Sequence, residues 1–74
     1  MPLAIIRVIE NVFSSEEKQR MIQKVSEAMI TVEGEALREK TVVLLEEVKS
    51  GDWACGGTTL TSDVVKQVRT RHSR

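Results

Sequence analysis

The chain has 74 residues, which makes one small domain at most, spanning 1–74. Its 11 basic and 11 acidic residues balance, so no global attraction to nucleic acid or to an anionic membrane is expected. Although 41% of the residues are hydrophobic, no apolar run is long enough for a transmembrane span, and no signal peptide is visible at the N-terminus. The single cysteine, Cys55, excludes a disulfide framework and points to a reducing, cytoplasmic setting.

The segment 3–10, LAIIRVIE, is rich in β-branched residues and reads as a strand. Alternation puts Ala4, Ile6 and Val8 on one face and Leu3, Ile5, Arg7 and Ile9 on the other, so both faces are largely apolar. Segment 14–34 reads as a helix. Ser14 and Glu17 have the spacing of a capping box, and Glu16 and Glu17 favour the positive end of the helix dipole. Met21, Ile22, Val25, Ala28, Met29 and Val32 form the predicted apolar stripe, and Gly34 supplies a stop. Segment 41–48 is a second strand. Residues 49–59 hold three glycines around Trp53 and read as turns with a short hairpin. Residues 62–72 read as a short helix capped by Ser62 or Asp63.

Strand, helix, strand with short joints predicts a βαβ unit of the α/β class, with parallel strands and a right-handed crossover, followed by a C-terminal hairpin. One helix cannot cover both apolar faces of such a sheet, and a chain this short builds little core. Oligomerisation follows as an expectation, with two βαβ units pairing into a four-stranded sheet.

Pro2 stands at the head of the first strand, where a missing N–H is tolerated. If Met1 were cleaved, the Pro2 nitrogen would change from an amide into a secondary amine, a base and nucleophile on a rigid ring. Arg7 inside an apolar strand needs solvent or a partner, and Glu46 or Glu47 on the second strand would supply one. Cys55 has no neighbouring His or Cys pattern, so no metal site is proposed. His72 stands alone near the end of the chain. Arg69, Arg71 and Arg74 make a basic tail without the aromatic residues expected of a nucleic-acid binder.

Three stretches together, MPLAIIRVIE, SSEEKQRMIQKVSEAM and VVLLEEVKSGDWACGG, resemble the tautomerase superfamily, specifically small subunits of the 4-oxalocrotonate tautomerase type. The resemblance implies removal of Met1, Pro2 as the catalytic base for enol–keto conversion of a small 2-hydroxy-dienoate or related enol acid, and no cofactor. It implies a hexamer built as a trimer of dimers, from identical chains or together with a related subunit. Trp53 falls where that family has an aromatic wall contributed to a neighbouring active site. The two substrate-holding arginines of well-studied members fall here on Phe13, in a loop with one residue inserted, and on Val42, so both guanidiniums are missing. Arg7, Arg38, Lys40 and Lys49 are the candidate substitutes. Cys55 replaces the water-activating carboxylate of haloacrylate dehalogenase relatives, which disfavours hydration chemistry. The alternative is a non-catalytic or partly competent subunit of a hetero-oligomer, and outside the family a small interaction module without catalysis.

Overall fold

The computed structural model describes residues 2–71; the expectations for Met1, His72 and Arg74 lie outside them. Strand β1 spans Leu3–Ile9, helix α1 Ser15–Glu33 and strand β2 Val42–Val48, with a 3-10 turn over Glu35–Lys40 between α1 and β2. A hairpin of β3 (Trp53–Cys55) and β4 (Thr58–Leu60) follows, and helix α2 spans Ser62–Arg71.

β1 and β2 pair in parallel, with Leu3 opposite Val42 and Ile9 opposite Val48. Arg7 falls opposite Glu46, and its Nε donates to the Glu46 carboxylate at 3.0 Å. The strand arginine thus meets its charge across one rung of the ladder, as the sequence predicted.

Helix α1 starts where the capping box places it. The Glu17 N–H donates to Ser14 Oγ at 3.1 Å, and the Ser14 N–H donates to the Glu17 carboxylate at 2.9 Å. It stops at Gly34, whose φ of 107° lies in the region that favours glycine and whose N–H still reaches the Ile30 carbonyl. The predicted apolar stripe needs correction. Ile30 is 4% exposed and is the buried residue of α1, whereas Val32 is 89% exposed and Ala28 is also exposed. The inward face runs through Ile22, Ser26, Met29 and Ile30, so Val32 and Ala28 lie on its flank. Ser26 is accommodated there because its hydroxyl donates to the Ile22 carbonyl one turn back.

Helix α1 packs mainly over β2. It half-buries Ala4, Ile6 and Val8 of β1 and Val43 and Leu45 of β2, and Lys18 reaches Glu47 at 3.2 Å. The opposite sheet face is bare: Leu3 is 56%, Ile5 45%, Leu44 43% and Val42 38% exposed. Only Ile9 and Ile30 are buried hydrophobic residues among those described, each 4% exposed.

The hairpin turns through Gly56 and Gly57, both at positive φ, the geometry of a two-residue type I′ turn. Trp53 pairs with Leu60, so β4 runs one residue beyond the predicted hairpin. Helix α2 is capped by Thr61, whose hydroxyl accepts from the Val64 N–H at 3.3 Å, and not by Ser62 or Asp63. Ser62 instead turns inward. Its side chain donates to the Glu10 carbonyl, its N–H donates to Ser50 Oγ at 2.9 Å, and the Ser50 N–H donates to the Glu10 carboxylate at 2.9 Å.

Candidate functional site

The residues singled out in the sequence gather at the two ends of β1. At its start the half-buried Pro2 is held by its carbonyl, which accepts from the Val42 N–H at 3.1 Å. This bond extends the β1–β2 ladder one residue before Leu3 and anchors the Pro2 carbonyl beside the first residue of β2. Val42 offers no charge there.

Arg7, Phe13 and Trp53 lie at the other end, around one cavity of about 360 Å³ that Ile9, Leu60, Val64 and Val68 also line. Arg7 is five residues beyond Pro2, about 16 Å along an extended strand. One chain therefore does not bring Pro2 and Trp53 to a single point. A site using both needs two chains.

The loop before α1 explains the position of Phe13. Asn11 has a φ of 62°, a left-handed conformation that asparagine tolerates better than most residues. Phe13, two residues on, is half-buried beside the sheet. The Arg69 guanidinium stacks 4.9 Å from the Phe13 ring centroid. It also donates to the Val12 carbonyl at 3.2 Å and pairs with both carboxylate oxygens of Glu17. Arg69, which the sequence places in a basic tail, is the tie that holds α2 against the start of α1.

The same contacts set the charge of Glu17. Hydrogen bonds from Arg69, followed by that from the Ser14 N–H, lower its pKa from the ordinary 4.5 to about 2. A carboxylate depressed in the folded state stabilises the docked helix above about pH 4.5 and loses that contribution as pH falls toward 2. The contribution of this pair to the docking of α2 is therefore expected to fade progressively between about pH 4.5 and 2. A carboxyl NMR titration of Glu17, with amide exchange across α2, checks this. A Glu17 midpoint at the ordinary value would show that the tie does not form in solution.

Of the other cations, Arg38 is committed. It donates to both oxygens of Glu27 at 2.8 and 3.1 Å and to both oxygens of Glu35 at 3.0 and 2.9 Å. These bonds lower the pKa of both carboxylates and raise that of the guanidinium. Arg38 fastens the 3-10 turn to α1 and is not a spare substrate clamp. Lys40 and Lys49 are exposed, and Cys55 is exposed and free. Among the described residues, no group of three His, Cys, Asp or Glu side chains is placed to hold a metal ion. No described helix is long and apolar enough to cross a membrane.

Comparison with known proteins places these features in a family. A family model described as tautomerase enzyme matches residues 2–63. The probable tautomerase K2 of Dickeya dadantii (strain 3937) is 30% identical over 61 residues, covering 82% of this chain and 90% of that protein. A solved 4-oxalocrotonate tautomerase isozyme from Methylibium petroleiphilum superposes with a TM-score of 0.70 at 31% identity, covering 86% of this chain and 97% of the other. The structure of DmpI from Helicobacter pylori gives 0.68 at 28% identity, covering 78% and 94%.

Proposed function

The chain belongs to the tautomerase family, and from that premise we propose that it is an isomerase using Pro2, freed by removal of Met1, as the general base for enol–keto conversion of a small 2-hydroxy-dienoate or related enol acid. The observation that carries this reading is the position of Pro2: the family match begins on it, and the Val42 N–H holds its carbonyl. A free α-amine has a reference pKa of about 7.7–8.0. Burial of that amine would disfavour the ammonium form, the direction a general base requires. Its lone pair takes the enol O–H proton. The O–H electrons form the keto C=O, the enol double bond supplies the electrons for a new C–H bond, and the ammonium returns the proton to that carbon.

The active unit in this reading is an assembly, a hexamer made as a trimer of dimers. The bare face of Leu3, Ile5, Val42 and Leu44 supports association. The separation of Pro2 from Trp53 supports a site shared between chains, with the Trp53 indole of one chain walling the Pro2 of another. A homohexamer is the first reading. A related subunit carrying guanidiniums is the second, favoured by the uncharged Phe13 and Val42. We place the protein in the cytoplasm, a reading supported by the unpaired Cys55.

The test compares ketonisation by two preparations, distinguished by intact mass: one with Met1 removed and one with Met1 retained. The processed chain is expected to be active and the retained form inactive, because an amide nitrogen has no basic lone pair. Equal activity in both would overturn the reading.

A further inference from the structure

The cavity at the far end of β1 has a chemistry of its own. Its walls are apolar: Ile9, Trp53, Leu60, Val64 and Val68 face it, and Ile9 is only 4% exposed. One charge stands at its rim. Arg7 is held through Nε by Glu46, and its two Nη groups make no hydrogen bond among the described residues. A guanidinium steadied on one side and open on the other presents the planar donor pair that a carboxylate accepts. The volume of about 360 Å³ falls within the range of small-molecule sites.

One wall lies beyond the part of the chain that matches the family. That match ends at residue 63, while Val64, Val65 and Val68 lie on one face of α2 and line the cavity. Helix α2 is held by the Ser62 contacts at its start and by Arg69 near its end, so this wall is fixed in place. Val64 and Val68 remain 41% and 45% exposed, which leaves the mouth apolar.

We infer that this cavity binds a monocarboxylic acid with a hydrocarbon body, the acid on Arg7 and the body along Trp53, Leu60 and the valines of α2. The inference deepens the tautomerase reading, and rests on it only in taking such an acid as the substrate class. A dicarboxylate would place its second charge among valines with no cation to receive it. The added helix is thus a specificity wall for a single charge and an apolar tail.

Trp53 is the only tryptophan, so its emission reports the cavity directly. The experiment titrates the assembled full-length protein with octanoate and with suberate, a dicarboxylate of the same chain length. Octanoate should shift Trp53 emission saturably, and suberate should bind at least about tenfold more weakly. Arg7→Gln and Val68→Asp should each weaken octanoate about tenfold. Should Val68→Asp fail to fold, Val68→Ile shortens the cavity and should shift preference from octanoate toward hexanoate. No emission change up to millimolar octanoate, as when another chain fills the cavity, would overturn the inference. So would equal binding of both acids. Ketonisation is measured on the same samples. Activity without octanoate binding would sink this inference alone, while octanoate binding without proline-dependent activity would sink the tautomerase reading and leave the cavity assignment standing.

Discussion

Pro2→Ala, processed to the free N-terminus, is expected to lower kcat for enol ketonisation, by a factor below the about 10²–10⁴ that a positioned general base contributes in full. Alanine keeps an amine at the same place in the chain. It loses the ring that fixes φ and so the direction of the lone pair. The Val42 N–H bond goes to the carbonyl of residue 2, not to its side chain, so the strand start and the assembly should persist. Circular dichroism and sedimentation should match the wild type. Equal rates for wild type and variant would show that the proline ring is not needed, leaving the retained-Met1 form as the test of the amine itself. The processed wild type should also handle a monocarboxylic enol better than a dicarboxylic one. Phe13 and Val42 supply no guanidinium, and one charge-assisted hydrogen bond is worth roughly 1.5–3 kcal/mol. That is about one to two decades in rate if the bond is made only in the transition state. A strong preference for the dicarboxylate would point to another cation reaching the site.

Leu44→Asp is expected to dismantle the particle. Leu44 sits on the bare sheet face between Val42 and Glu46, 43% exposed in the single chain. Covering that face in an assembly would bury an aspartate carboxylate without a partner, which costs several kcal/mol per interface. The isolated chain has little to fall back on, because Ile9 and Ile30 are its only buried hydrophobic residues among those described. The variant should sediment as a monomer at micromolar concentration and lose helical circular dichroism, while the wild type sediments as an assembly. A wild type of monomeric mass, or a variant that assembles unchanged, would show that the face is not an interface.

Much of this fold was legible because its signals are local. The capping box at Ser14, the stop at Gly34 and the alternation in β1 each depend on neighbours within a few positions. The Arg7–Glu46 pair was legible for a different reason: an arginine in an apolar strand demands an acid, and the second strand offered two. The stripe of α1 departs from the sequence pattern at its C-terminal end because Val32 looks like core by composition, whereas helix geometry turns it away and brings Ile30 inward. Composition also misled at α2, where Ser62 has the residue type of a cap but is recruited by the Glu10 carbonyl, leaving Thr61 to cap. Arg69 was invisible as a structural residue because its partners Val12 and Glu17 lie 57 and 52 positions earlier. The candidate site was legible as a list of residues and not as a place: Pro2 and Trp53 belong to opposite ends of one strand.

The bond between Ser50 and Ser62 joins the two feet of the segment that carries Trp53. That segment is therefore a detour that leaves and re-enters the body at a single point. Residues can be added to or removed from it without changing where the sheet ends or where α2 begins, since loop length adds little closure cost once the feet are fixed. The reach of the tryptophan thus becomes a dimension that can be tuned separately from the rest of the molecule.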